Sequence, residues 1–237
     1  MKLEIYLPTQ IIFGPGEVRR IGEESRKAGK RPLVVTGKKA MQKTGILDRV
    51  LSSLKKAQCD PVVFNKIEPN PRVETVDQGA RLAREKGCDL IIGLGGGSAI
   101  DAAKGIAVAA LAEGSIWCYI AHWEDSFQSP QEALPIALIP TIAATGSEAD
   151  TVFIITNWET PEKAVLFGHC LLPVFSIIDP ELTFSVPPET TADGGIDIIC
   201  HVLEPYFTSR FVSPISDRFT EGVVLTVMKN LKKASPG

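Results

Sequence analysis

The apolar run Leu90-Ile91-Ile92 leads directly into Gly93-Leu94-Gly95-Gly96-Gly97-Ser98-Ala99-Ile100-Asp101-Ala102-Ala103-Lys104. An apolar strand that breaks into consecutive glycines and then an alanine-rich helix can build a phosphate cradle. Without Cβ atoms the backbone can approach an anion closely, and the N–H groups opening the helix point at it. Gly95, Gly96, Gly97 and Ser98 are therefore candidate dinucleotide contacts. Asp101 falls one turn into the helix, where a carboxylate disfavours a nearby diphosphate; it either meets a ribose hydroxyl or caps the helix. A second segment, Pro140-Thr141-Ile142-Ala143-Ala144-Thr145-Gly146-Ser147-Glu148, follows a predicted strand, where open α/β sheets place their ligands. The hydroxyls of Thr141, Thr145 and Ser147 serve there either as cofactor donors or as local caps. In Gly195-Ile196-Asp197-Ile198-Ile199-Cys200-His201 a helical conformation puts Asp197 and His201 on one face at i, i+4. That spacing suits two ligands of one metal ion and equally an ordinary surface or capping pair. A catalytic metal usually takes three protein ligands, and the other histidines, His122 and His169, read as structural or cofactor-adjacent. A nucleotide cradle followed by a metal pair points to metal-assisted dehydrogenase chemistry.

The elements that position these residues follow from hydrophobic periodicity. Two short strands are expected in 3–13, closed by Gly14-Pro15-Gly16, and then a helix over 17–28. Further strands fall at 32–36, 61–64, 90–93, 134–139, 152–156 and 174–178, with helices at 44–57, 73–86 and 99–112. Strands alternating with helices imply a mainly parallel, Rossmann-like sheet covered on both faces. Past Pro187-Pro188 the pattern is helical only, at 196–207 and 216–231. The expected organisation is an α/β dinucleotide-binding domain over 1–188 and the first helices of an incomplete all-α domain over 189–237. The helical stripe Val223, Val224, Val227 and Leu231 should need a partner or a further segment to cover it.

The chain has 237 residues, 44% of them hydrophobic and 22% charged, as expected for a soluble protein with a core. A net charge of −3 gives no electrostatic case for nucleic acid or anionic membranes. No apolar stretch approaches the ~20 residues of a membrane helix, and the N-terminus lacks a signal-peptide core. The five cysteines are odd in number and scattered, which reads as reduced thiols in a cytoplasm rather than as a disulfide framework.

Taken together, Gly95-Gly96-Gly97-Ser98-x-x-Asp101-x-x-Lys104, Thr145-Gly146-Ser147-Glu148 and Gly194-x-x-Asp197-x-x-x-His201-x-x-Glu204 resemble the iron-containing (group III) alcohol dehydrogenases. Glu68-Pro69-Asn70-Pro71 and Pro8-Thr9-x-Ile11-Ile12-Phe13-Gly14-x-Gly16 fit as well. The chain is most similar to the branch of butanol dehydrogenases and NADPH-dependent aldehyde reductases. The resemblance implies hydride transfer between a nicotinamide cofactor and a small alcohol or aldehyde, with Fe²⁺ or Zn²⁺ held in part by Asp197 and His201. It also implies that Asn70, Asp101, Thr141, Thr145, Ser147 and Lys163 line the cofactor cleft; the alternative for Lys163 is an exposed turn. NAD-specific relatives carry an aspartate where this chain has Gly37, followed by Lys38 and Lys39. Glycine leaves room for a 2′-phosphate and a lysine can pair with it, which favours NADP, unless both lysines simply face water. The family continues into a helical domain that supplies two further histidines, so this sequence is expected to be the N-terminal part only. A homodimer is the assembly considered. The rival functions are a dinucleotide-binding fragment without turnover and a glycerol-dehydrogenase-like relative.

Overall fold

The structure, a computed structural model, describes residues 6–120, 129–143, 146–210 and 213–234. Two compact units divide the chain: Met1–Thr141 with Ser147–Leu182, and Ile142–Gly146 with Thr183–Gly237.

The first unit is built on a six-stranded parallel sheet. In chain order its strands are β1 (Gln10–Phe13), β2 (Pro32–Gly37), β3 (Val62–Ile67), β4 (Leu90–Gly95), β5 (Ile136–Pro140) and, after a separate ribbon, β8 (Phe175–Ile178). They lie side by side in the order β1-β8-β5-β4-β2-β3. The central strands β2, β4 and β5 are uninterrupted apolar runs because both of their faces are covered. Successive side chains alternate between those faces. Leu33, Val35, Ile91 and Leu138 enter a core with the helices α4 (Val73–Lys86) and α5 (Gly97–Ala109). Val34, Ile92, Leu94 and Ile139 enter a second core with α1 (Ile21–Ala28) and α3 (Ile46–Lys56), which follows the short α2 (Ala40–Lys43).

Several elements differ from the periodicity reading. Only Gln10–Phe13 forms a strand near the N-terminus, and residues 1–5 lie outside the described set. The helix expected from residue 17 opens as a 3-10 turn over Glu17–Arg20, and α5 starts at Gly97, two residues before its first alanine. The strand at 152–156 does not join the sheet. It is β6 (Val152–Asn157), which pairs antiparallel with β7 (Glu162–Phe167), a strand the pattern did not reveal. The Asn157 side chain accepts the Glu159 N–H at 2.9 Å and starts the turn that folds the ribbon back. Phe153, Ile155 and Leu166 then pack their apolar side into the α4–α5 core.

The second unit is a helix pair, α6 (Pro188–Thr208) and α7 (Pro214–Ala234). Both begin earlier than the apolar pattern suggested; Pro188 at the head of α6 supplies a preset φ where a missing N–H does no harm. The helices approach at Gly195, the one buried residue of α6, whose missing Cβ leaves room for the Leu231 side chain. The stripe Val223, Val224, Val227 and Leu231 is thus half-buried rather than uncovered. The exposed apolar side chains are others: Ile196 and Phe207 on α6, and Ile215, Phe219, Leu225 and Met228 on α7.

The parallel edge pair β1–β8 is locked by Asp179, which is 1% exposed. Its carboxylate accepts the N–H groups of Gly16 at 3.0 Å, Val18 at 3.1 Å and Glu181 at 3.0 Å. Asp179→Ala should leave those donors short of an acceptor and lower unfolding stability by about 3 kcal/mol in urea titrations, with the far-UV spectrum unchanged.

Candidate functional site

Connections depart in opposite directions from the neighbouring strands β2 and β4. β2 leads through α2 and α3 to the β3 edge, whereas β4 leads through α5, on the other face, to β5. A crevice between the carboxyl ends of two such strands is where doubly wound sheets take their ligands. Gly37 and the Gly95-Gly96-Gly97-Ser98 loop stand at those two ends.

Each glycine of the loop has its own local reason. Gly93 lets α5 settle on the sheet, since a Cβ there would meet Leu138 and Ala103 at 2.8 and 3.0 Å. Gly95 makes the turn at φ +146, a conformation side chains disfavour. Gly96 is the N-cap of α5 in an extended conformation, and no side chain caps the helix. At Gly97 an added Cβ would meet nothing within 4 Å. A helix start with no side-chain cap, beside space that a Cβ would fill, fits a diphosphate.

Three residues singled out in the sequence converge on this loop. The Ser98 hydroxyl accepts the Asn70 N–H at 3.2 Å, and Asn70 sits at φ +54 between β3 and α4. Lys163, on β7 rather than in a turn, donates from Nζ to Asn70 Oδ1 at 3.3 Å. The ribbon, the β3–α4 connection and the glycine loop are thus joined through a single asparagine. Thr141 is buried directly after β5, and its N–H bonds to the Gly95 carbonyl at 2.9 Å. Thr145 lies outside the described residues.

Asp101 and Ser147 are turned to each other. The Ser147 hydroxyl donates to Asp101 Oδ1 at 3.0 Å, and the Ile154 N–H reaches Oδ2 at 3.3 Å. Asp101 therefore does not cap α5; it holds the start of the ribbon against the helix. Beneath it lies Lys104, whose role the sequence reading missed. Lys104 is fully buried, and its Nζ meets Asp150 Oδ1 at 2.6 Å, the Val152 carbonyl at 2.9 Å, the Asp150 carbonyl at 3.0 Å and Ser147 Oγ at 3.3 Å. Burial pulls the Lys104 ammonium below its usual range, against the raising effect of Asp150. The available signal was that Lys104 is the only cation in the otherwise apolar and small-residue stretch of α5.

Gly37 ends β2, and a Cβ there would be 3.7 Å from the Ile67 carbonyl, an ordinary contact. Lys38 and Lys39 are exposed, and Lys38 lines an open depression with Lys66 and Arg72. In the second unit Asp197 and His201 do share a face of α6, with Nε2 and Oδ1 3.7 Å apart and both side chains half exposed. An imidazole and a carboxylate are suitable donors for Fe²⁺ or Zn²⁺. Among the described residues, no group of three or more His, Cys, Asp or Glu side chains is placed to hold a metal. The pair could supply two donors to a metal ion but no complete coordination shell. All five cysteines are free, and no helix of the described residues is long and apolar enough to cross a membrane.

A doubly wound sheet with a glycine-lined crevice at its switch point defines a Rossmann-like α/β protein. Comparison with known proteins makes this specific. The model of the iron-containing alcohol dehydrogenases matches residues 8–180. A probable NADH-dependent butanol dehydrogenase of Bacillus subtilis is 39% identical over 226 residues, 95% of this chain and 57% of that protein. The NADPH-dependent aldehyde reductase YqhD of Escherichia coli is 34% identical over 97% of this chain and 58% of its own length. The crystal structure of NADH-dependent butanol dehydrogenase A from Thermotoga maritima superposes with a TM-score of 0.92 at 36% identity, covering 98% of this chain and 57% of that one. The chain belongs to the iron-containing alcohol dehydrogenase family, and it spans little more than half the length of these relatives.

Burial holds the Asp101 carboxyl up to about 6 from an ordinary 3.8, against the lowering effects of the Ser147 and Ile154 bonds and the Lys104 charge. The folded protein then keeps a proton that the unfolded chain has lost between those two values. The stability Asp101 contributes is complete below pH 3.8 and disappears as pH rises through about 6. Urea unfolding at a series of pH values should show the wild type losing on the order of 2–3 kcal/mol relative to Asp101→Asn across that window.

Proposed function

We propose that this chain supplies the nucleotide-binding part of a metal-dependent alcohol dehydrogenase or aldehyde reductase that prefers NADP(H) to NAD(H). The observation that carries the reading is the helix start at Gly97, open where a Cβ would project and uncapped by any side chain. Gly95, Gly96, Gly97 and Ser98 cradle the diphosphate. Asn70 fixes the loop through Ser98, and Lys163 fixes Asn70. Thr141 borders the cleft, while Asp101 and Ser147 act by holding the 147–154 segment on α5. A bound nicotinamide dinucleotide supplies the hydride acceptor or donor; this chain binds and orients it.

The NADP preference rests on Gly37, which carries no carboxylate to repel a 2′-phosphate, and on Lys38 and Lys39 beside it. Relatives named for NADH are 38–39% identical to this chain and one named for NADPH is 34% identical, so the preference rests on these local residues and not on the relatives. The helical unit is the beginning of the metal-binding domain, with Asp197 and His201 as two of its ligands for Fe²⁺ or Zn²⁺. A small primary alcohol or aldehyde is the substrate class, and a second copy of the chain the candidate partner. A second reading, nucleotide binding without turnover, is favoured by the two-donor metal pair. Metal analysis together with an NADPH-dependent aldehyde assay on this chain separates the two readings. Turnover with stoichiometric metal supports the enzyme reading, and nucleotide binding alone supports the second.

Gly97→Ala is the direct test of the cradle. Its Cβ meets no protein atom, and alanine in a helix is more stable than glycine by about 0.5–1 kcal/mol. Thermal stability should hold or rise while NADP(H) affinity, measured by calorimetry, falls by about tenfold or more. Unchanged affinity would remove the loop from the site. For cofactor choice, Gly37→Asp should bring NAD(H) affinity above NADP(H) affinity in the same titration; an unmodified chain that binds both equally contradicts the preference.

A further inference from the structure

At the carboxyl ends of β2 and β3 the chain gathers more positive charge than the sequence discloses. Gly37 pairs with Ile67 across the two strands, so Lys38, one residue past Gly37, and Lys66, one residue before Ile67, flank the same register position. Arg72, the N-cap of α4, completes a triangle of cations around an open depression of about 300 Å³, whose remaining lining is Glu68, Thr75 and Gln78. In a chain of net charge −3 this is a local excess of cation, three positive side chains against one carboxylate.

The one carboxylate is already engaged. Glu68 Oε1 accepts the Thr75 hydroxyl at 2.7 Å and stands 3.6 Å from Arg72 Nε. The Arg72 guanidinium lies over the Trp158 ring at 4.2 Å, which fixes its plane. Its Nε is buried without a hydrogen-bond partner. Lys38 and Lys66 make no ion pair among the described residues. A planar guanidinium held by stacking and two free ammonium groups around one hollow match a dianionic phosphomonoester: the arginine can bond two oxygens at once and the lysines supply point charge. A volume near 300 Å³ is at the low end of ligand pockets, enough for a phosphate with part of its sugar.

We propose that Lys66 and Arg72, with Lys38, form the 2′-phosphate subsite of the dinucleotide cleft, so that cofactor choice is set from β3 and the cap of α4 as well as from the loop after β2. This rests on the NADP reading above and extends it to two residues that no motif marked. Glu68 orients Arg72, and Trp158 keeps the guanidinium flat against the ribbon.

Calorimetric titration of the whole chain with NADP⁺, NAD⁺, 2′,5′-ADP, 5′-AMP and inorganic phosphate tests it. The unmodified chain should bind NADP⁺ and 2′,5′-ADP about tenfold tighter than NAD⁺ and 5′-AMP. Lys66→Met and Arg72→Met should each remove about fivefold or more of that margin, leaving NAD⁺ and 5′-AMP within about twofold. Lys86→Met, at the far end of α4, should do neither. Lys66 is exposed, so its variant reports even if Arg72→Met loosens the Trp158 contact and unfolds. If the unmodified chain prefers NADP⁺ and both variants keep the full margin, the subsite is wrong while the preference stands on Lys38 and Lys39. If the unmodified chain shows no preference, both readings fall. Competition by inorganic phosphate against NAD⁺ as strong as against NADP⁺ would mark a general anion site and overturn the subsite.

Discussion

A single buried ammonium organises the binding side of this molecule. Taking Lys104 out of water costs several kcal/mol unless its protons are met. They are met by Asp150, Ser147 and the Val152 carbonyl, all on the segment that leaves β5 and enters the ribbon. That requirement fixes the segment against α5, and with it the root of β6. The ribbon in turn carries Lys163 to Asn70, and Asn70 binds Ser98 in the glycine loop. The loop geometry is therefore not a property of its glycines alone. It is held from the far side by a chain of polar contacts whose first link is a charge that cannot move without being stranded.

Around that link the sheet does what parallel sheets do. Both faces are covered, the strands run as unbroken apolar segments, and the only places left for polar chemistry are the strand ends. At one end of the crevice the backbone is bare, at Gly95 to Gly97; at the other, cations gather around a hollow at the ends of β2 and β3. The proposed NADP(H) reading assigns the diphosphate to the first of these and the 2′-phosphate to the second. The helical unit has a different character. It buries almost nothing of α6 beyond Gly195 and leaves large apolar side chains exposed on both helices.

Much of this architecture is legible in the sequence. The alternation of apolar runs with helical periods marks the sheet and its two coats, and the helix over 73–86 has the bounds its pattern indicated. The glycine loop announces itself by composition. The ribbon was hidden because β7 buries only Leu166 fully and its sequence reads as a polar turn with a few apolar residues. Asp101 and Ser147 were legible as polar residues in the right place, but not as partners of each other, because a bond across 46 positions leaves no periodicity. The role of Lys104, which the motif marks only by position, and the placement of Lys66 and Arg72 were missed for the same reason. What makes each of them matter is a neighbour brought in by tertiary folding, and side-chain type alone does not distinguish a buried lysine from a solvated one.

The outermost pairing of the sheet has a consequence for how the protein is made. β1 precedes every other strand of the sheet in this sequence, yet among the described residues it pairs with β8 alone, with Gln10 opposite Phe175 and Phe13 opposite Ile178. Closing that distance carries a chain-entropy penalty that local pairings do not. During synthesis of the intervening residues β1 has no strand to join, and Ile11 and Phe13, still largely exposed in the finished fold, are open to other nascent chains. β1 therefore cannot take its place in the sheet until β8 has been made.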